Sequence, residues 1–385
     1  MLTLIVFIII LGFLVFVHEL GHFFVARING IKAEEFGFGF PPRALGIVKS
    51  EKNGSSKWQI VKGNQEIESK NTIYSINWIP IGGFVRIKGE NGDEKKANDS
   101  FAAKSAWIRT KVLIAGVAMN FVFAWILFST NFMLGTYQDV TGQNISGAKI
   151  LVQGVDYGSP AQKMDLRTGD FLIGNDSYVF KTVSDVQNYI SDNKGKEIVL
   201  IIEREGKQSS LKGIPRENVT ENQGALGISG FGEVIFHKYS LFKALWMGLK
   251  EIGIFLESFV IVIAQLFHGN KSGIQTVGPI GIVLLTGKVL PLGFSFLLRF
   301  TAILSINLGV INILPIPALD GGRLLFIIIE KIKGSKINQE IEQILITISM
   351  AALLFLMAFI SIKEIMSPEV QDNFKKILHS IANIF

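Results

Sequence analysis

Four stretches of the chain run almost without a charge: residues 2–25, 112–134, 297–316 and 344–362. Each approaches or exceeds the roughly 20 apolar residues that a helix requires to cross a bilayer, so the pattern predicts four membrane-spanning helices. A fifth apolar stretch, 244–267, is as long but carries Lys250, Glu251 and Glu257. Composition alone leaves a crossing open, but a crossing would invert every later span and part the end of the third span from the depth of His22, so an interfacial helix on the outer leaflet is expected. Between it and the third span, 274–292 is broken by Gly278, Pro279 and Pro291 and predicts an irregular connection or a shallow re-entrant piece. Between the second and third spans the period changes. "EIVLIIER" (197–204) has a strand pattern ended by Glu205–Gly206, and "SDVQNYISDNKG" (184–195) that of a short amphipathic helix closed by Gly195. Residues 138–236 therefore predict a water-soluble α+β domain inserted into a polytopic helical membrane protein.

Composition agrees. Of 385 residues, 49% are hydrophobic and 18% charged, against about 25% charged in a typical soluble chain. Cysteine is absent, which excludes thiol chemistry and a disulfide framework. The net charge is +6, but Lys and Arg are spread through loops rather than stacked in a patch, so a bilayer and not a nucleic acid is the expected partner. Arg27, Lys32, Lys104, Arg109 and Lys111 flank the segment between the first two spans; Arg323, Lys331, Lys333 and Lys336 lie between the last two. Met1–Thr3 and residues 135–148 carry no Lys or Arg. The positive-inside rule then places the N-terminus and the inserted domain outside and 26–111 in the cytosol. The run 2–25 lacks the basic start and small-residue cleavage site of a signal peptide, which predicts a retained span.

Inside that first span stands "LVFVHELGHFFV" (14–25). His18 and His22, at i and i+4, project from one helix face and can grip one metal ion, with Glu19 placed to act on a bound water. The bland alternative is a pair of interfacial histidines, but ionisable groups within a span are rare and usually functional. A third ligand is sought in another span. "SINLGVINILPIPALDGGRLLF" (305–326) supplies Asp320, preceded by the helix breakers Pro315 and Pro317 and by Asn307 and Asn312 at membrane depth. Read alone, Asp320 could equally be the N-cap of a following helix.

The inserted block carries a resemblance of its own. "GVDYGSPAQKMDLRTGDFLIGNDS" (154–177) resembles a PDZ domain, and "GALGIS" (224–229) is similar to the glycine-rich loop and strand on which PDZ domains hold a peptide. That puts Leu226, Gly227 and Ile228 in a groove, and the loop's position at the domain's end implies a circularly permuted form. Any other small α+β domain is the alternative.

Taken together, H-E-L-G-H in the first span, N-I-L-P-I-P-A-L-D-G-G in the third, "FGFGFPP" (36–42), "IPIGGFVRIKGE" (79–90) and "AGVAMN" (115–120) resemble the site-2 protease family, in its bacterial RseP-type form. The resemblance covers almost the whole chain; Val117 stands where family members usually carry proline. It implies one Zn2+ ion held by His18, His22 and Asp320, Glu19 as general base, and Asn120 near the catalytic centre positioning water or an oxyanion. It also implies that Asn307 and the irregular third span, with Asn312, Pro315 and Pro317, help hold substrate. Region 31–90 is implied to be a β-hairpin dipping into the membrane beside the zinc. Its segment "GGFVRI", with Gly83, Phe84, Val85 and Arg86, is β-prone and is the expected substrate strand. The implied substrates are single-pass membrane proteins already trimmed by another protease, such as anti-sigma factors or remnant signal peptides, in the bacterial inner membrane. The competing expectation is an inactive scaffold that binds partners through the PDZ domain.

Overall fold

The computed structural model describes residues 2–52, 55–63, 65, 69, 71–92, 97–143, 145–204, 206–218, 224–268, 277–367 and 370–371. In chain order the elements are α1 (Leu2–Ile28), β1 (Ala33–Lys52), β2 (Ser55–Lys62), β3 (Ile73–Ile87), α2 (Ala106–Leu134), β4 (Thr136–Asp139), β5 (Lys149–Val155) and α3 (Pro160–Lys163). They continue as β6 (Phe171–Gly174), α4 (Val183–Asp192), β7 (Ile198–Arg204), β8 (Lys207–Gly213), β9 (Ile228–His237), α5 (Leu241–Phe267) and α6 (Pro279–Val289). The last are α7 (Phe294–Ile313), α8 (Asp320–Lys333) and α9 (Gln339–Ile365). Two units result, one formed by 1–130 with 241–371, the other by 131–240; the C-terminal tail after 371 lies outside the described residues.

Among the described residues, α1, α2, α7 and α9 are the four helices long and apolar enough to cross a membrane. In hydrocarbon only intrahelical bonding satisfies the backbone, which is why uninterrupted apolar runs become helices there. Their ends differ from the apolar runs for local reasons. α2 starts before residue 112 because its charged first turns are held: Arg109 donates to Glu330 at 2.7 Å. It passes unbroken through Val117. α7 stops at Ile313, since residues preceding proline avoid the helical region, and Leu314 is extended with φ −60° and ψ 144°. α9 begins earlier than residue 344, where the Asn338 side chain accepts from Glu340 N at 2.9 Å as an N-cap.

Two stretches need a tertiary explanation. α5 is one continuous helix, tied to α7 by an Arg299–Glu251 ion pair of 2.7 Å and to α2 by Trp125 Nε1 donating to Leu245 O at 2.8 Å. The connection expected to be irregular instead contains α6. Pro279 suits a first helical turn, and the Glu364 carboxylate of α9 accepts from Gly278 N and Gly281 N at 2.7 and 3.1 Å, capping the new helix from outside.

Region 31–90 forms a three-stranded sheet, order β2–β1–β3, in which β1 and β3 each fold back on themselves. Phe36 pairs with both Tyr74 and Val85, and Phe38 with both Ile76 and Gly83. Residues 83–87 are thereby left as an edge, lying along α1. One face of the sheet packs Phe36 against Phe16 and Phe23, with ring centroids 5.1 and 4.7 Å apart. The other buries Val48, Val61 and Ile73 and an ion pair in which Arg43 donates twice to Glu35, at 2.7 and 2.6 Å.

The second unit is a six-stranded sheet, order β4–β9–β5–β6–β7–β8, covered by α3 and α4 over a core that includes Ile150, Leu172, Leu200 and Ile202. α4 begins with a capping box between Thr182 and Asp185. β4 reaches β9 only at Val234–His237, so the start of β9 keeps one free edge. Between that edge and α4 lies a cavity of about 440 Å³ lined by Val183, Ile190, Leu226, Ile228 and Phe231. Gly227, at φ +76°, makes the tight turn into β9.

Candidate metal centre

His18 and His22 lie one turn apart on α1 with their Nε2 atoms 3.2 Å from each other. Asp320 Oδ2 is 3.0 Å from His18 Nε2 and 3.3 Å from His22 Nε2. Asp320 is the first residue of α8 and not its cap: Leu319 holds the N-cap position and makes no side-chain cap bond. The carboxylate is therefore free to turn toward α1. Pro315 and Pro317 end α7, and the chain reverses so tightly that a Cβ on Gly321 would strike the Ile313 carbonyl and one on Gly322 the Ile316 carbonyl. The two glycines after Asp320 are what lets α8 start there.

α2 forms the wall behind the histidines. A Cβ on Gly21 would overlap the Ala115 carbonyl, and a Cβ on Gly116 would overlap both imidazoles. The helices therefore meet backbone to backbone. His22 Nδ1 lies 2.8 Å from the Val112 carbonyl oxygen, which can only accept. That contact puts the proton on Nδ1 and leaves Nε2 a bare lone pair. His18 Nδ1 faces the Asn120 side chain at 3.2 Å. Three acceptor atoms thus converge, and Asp320 Oδ2 has no hydrogen-bond donor among the described residues although it is buried. With both imidazoles neutral and protonated on Nδ1, the distances of 3.0 and 3.3 Å to it bring acceptors face to face, an arrangement that a shared cation relieves.

The dimensions fit zinc. Tetrahedral Zn2+ with ligands at ~2.0–2.1 Å has ligand–ligand edges near 3.3 Å, and the observed edges are 3.0, 3.2 and 3.3 Å. His18 and His22 are each 6% exposed, so the donor set is screened from water. Three protein ligands leave a fourth position open, the pattern of a catalytic rather than a structural site.

Glu19 projects beside this triangle. Its carboxylate lies in the field of His22, Glu90 and Asp320, and the backbone N–H of Val85 is directed at it. β3 therefore meets the site through the edge that carries Gly83, Phe84, Val85 and Arg86. Gly83 sits against the backbone of Phe16, where a Cβ would come within 3.0 Å of Phe16 Cα. Asn312 places Nδ2 3.4 Å from His18 Nε2, on the metal-facing side. Asn307 is part-buried on α7, more than a turn earlier. Pro315 and Pro317 belong to the α7–α8 link, while Leu226 and Ile228 line the cavity of the second unit and Gly227 forms the turn between them.

Several contributors carry no side-chain signal in the sequence. The Val112 carbonyl is one, and the Gly21–Gly116 approach another. The supports of α8 are also long-range: Arg323 pairs with Glu90, Arg109 with Glu330 at 2.7 Å, and Lys336 Nζ donates to Ala102 O at 2.8 Å. Together they fasten α8 and the turn after it to the segment following β3 and to the start of α2.

Comparison with known proteins agrees with this geometry. The model of Peptidase family M50 matches residues 6–63 and 57–356. A chain named as a zinc metalloprotease in Clostridium acetobutylicum is 30% identical over 368 residues, covering 95% of this chain and 98% of the relative. A zinc metalloprotease of Fusobacterium nucleatum is 32% identical over 367 residues, covering 94% and 98%. The regulator of sigma-W protease RasP of Bacillus subtilis is 28% identical over 443 residues, covering 94% and 98%. With four apolar helices among the described residues and an acceptor triangle of zinc dimensions, this chain belongs to Peptidase family M50, the site-2-type zinc metalloproteases.

Proposed function

We propose that the protein hydrolyses a peptide bond within or next to the membrane span of single-pass membrane proteins. The observation that carries this reading is a solvent-screened set of three acceptors, two of them on a membrane-spanning helix, with Glu19 beside it. His18, His22 and Asp320 would hold the ion; when bound, zinc would supply Lewis acidity that lowers the pKa of water to near 7 and polarises the scissile carbonyl. Glu19 takes the proton of the attacking water and passes it to the leaving amine. Asn312 offers an amide donor on the metal side for a substrate carbonyl. A helical substrate hides its carbonyls, so it binds as a strand on the open edge 83–87, where pairing relieves unsatisfied backbone groups and holds the bond in reach.

The second unit is read as a circularly permuted PDZ domain acting as substrate filter or docking site. This is supported by its cavity between the free start of β9 and α4 and by Gly227 at the turn. The basic flanks support a bacterial inner-membrane location with the N-terminus and that domain outside. The name of the Bacillus subtilis relative, a regulator of sigma-W protease, supports substrates of the anti-sigma-factor kind; that they are trimmed first by another protease is part of the proposal. The test is to compare trimmed single-span fragments in membranes of a Glu19→Gln strain and wild type. Fragments accumulating only in the variant support the reading; identical fragment profiles, with purified Glu19→Gln cutting at wild-type rate, would overturn it.

A further inference from the structure

Asn120 is fully buried, at 0% exposure, yet its amide is not at rest. Its nitrogen faces His18 Nδ1 at 3.2 Å, while its Oδ1 is buried with no hydrogen-bond partner among the described residues. For His18 to present a bare Nε2 to the ion, its single proton must sit on Nδ1. An N–H facing an NH2 group is donor against donor. The oxygen and nitrogen of an Asn amide are interchangeable by a half-turn that leaves the shape of the side chain unchanged. With that turn, Oδ1 accepts from His18 Nδ1–H and the clash is removed, while the NH2 group takes the buried place that the oxygen held.

We propose that Asn120 is a positioning residue that acts through His18. Its side-chain oxygen holds Nδ1–H and so fixes the tautomer and ring plane that aim Nε2 at the metal. This inference rests on the metal-centre reading. It gives the two histidines matched supports from one helix, since His22 Nδ1 is held by the Val112 carbonyl at 2.8 Å. For His18 the oxygen comes from a side chain of the same helix, that of Asn120. It is anchored in turn: Ser305 of α7, 0% exposed, donates from Oγ to the Asn120 backbone oxygen at 2.8 Å. The same geometry argues against Asn120 as an oxyanion donor. It touches the far nitrogen of His18, away from the metal-facing side, where Asn312 stands instead.

The test uses full-length protein in detergent or nanodiscs and reads zinc affinity by chelator competition, with hydrolysis measured separately. Asn120→Leu keeps the volume and removes the acceptor; its zinc affinity should fall 10–100-fold, the usual effect of losing an outer partner of a ligating histidine. Asn120→Asp can only accept, and should bind zinc at least as tightly as wild type. An oxyanion donor predicts normal zinc with collapsed kcat in both variants, so the loss of zinc from Asn120→Leu is what separates the two roles. Nitrogen-15 histidine spectra of zinc-loaded wild type add a readout independent of variant folding: His18 should ligate through Nε2 and carry its proton on Nδ1. Wild-type affinity in Asn120→Leu, loss of zinc from Asn120→Asp equal to that from Leu, or ligation through Nδ1 would each overturn the inference. Absence of zinc binding by wild type itself would overturn the metal-centre reading beneath it.

Discussion

Gly116→Ala is a demanding probe of the site because it adds one methyl group and no chemistry. A Cβ there would lie 2.7 Å from His22 Cε1 and 2.8 Å from His18 Cε1. Carbon atoms prefer roughly 3.5–4.0 Å, so each contact is short by about 0.7 Å or more. The ligand distances tolerate only about 0.2 Å. Neither α1 nor α2 can retreat without opening the Gly21–Ala115 contact, so the imidazoles move. Overpacking of this kind costs about 1–3 kcal/mol; borne by the ligand geometry, it becomes roughly a 5- to 150-fold loss of zinc affinity at 1.4 kcal/mol per decade. Alanine's better helix propensity, about 1 kcal/mol, acts on apo and loaded protein alike and leaves affinity untouched. The assay is chelator competition on purified protein, with Gly253→Ala as control, since a Cβ at Gly253 meets nothing within 4 Å. Zinc affinity in Gly116→Ala within twofold of the control would refute the claim that bare backbone at 116 sets the ligand spacing.

Removing a ligand should differ from removing the base: Asp320→Ala is expected to lose both zinc and hydrolysis, and Glu19→Gln only hydrolysis, as read by metal content and cleavage together. Burial alone would raise the pKa of Glu35, but the Arg43 guanidinium outweighs it and holds the carboxyl below its ordinary value. Its stabilisation is thus present above the unfolded carboxyl pKa of about 4.3 and lost as pH falls through the lower folded value. Arg43→Gln, which strands a buried carboxylate, should destabilise the sheet by about 3–5 kcal/mol at pH 7, seen as faster amide exchange in β1 and β3; unchanged exchange would refute the pair's role. Lys88 N donates to Lys32 O, so by alternation Phe84 and Arg86 donate inward and Val85 outward. Val85→Pro should cut hydrolysis sharply with zinc retained, through the edge and through the N–H directed at Glu19; Phe84→Pro and Arg86→Pro are tested beside it, and wild-type cleavage by all three would remove the strand from substrate binding. Cysteines replacing the exposed Lys250 and Glu257 should both react with an impermeant reagent from outside; reaction of one only from the cytosolic side would make α5 a span and invert every later element.

What could be read from the chain depended on how far each effect reaches. His18 and His22 are legible because helical spacing alone puts them together, and the end of α7 is legible at Pro315. α6 is not, because its N-terminus is capped by Glu364, a glutamate far along the chain that no local pattern announces. The amides show the same limit. Asn307, Asn312 and Asn120 all stand out as polar groups at membrane depth, but a spacing cannot say which side of an imidazole each will face. The structure puts Asn312 on the metal side and Asn120 behind His18. Glycines were legible as positions, not as reasons: Gly116 belongs to a recognisable run, while its pressure on two imidazoles exists only once α1 and α2 have met.

The separation of the ligands along the chain also has a meaning in time. Asn312 and His18 touch across 294 residues of sequence. At a synthesis rate of about 5–20 residues per second, the two histidines are in the membrane roughly 15–60 s before the helix that brings Asp320 leaves the ribosome. Through that interval the nascent protein holds two unmetallated imidazoles and a glutamate but no closed site. Neither the metal's full grip nor the ability to cut a neighbour can precede insertion of α7, so the order of translation itself keeps a half-made protease inert.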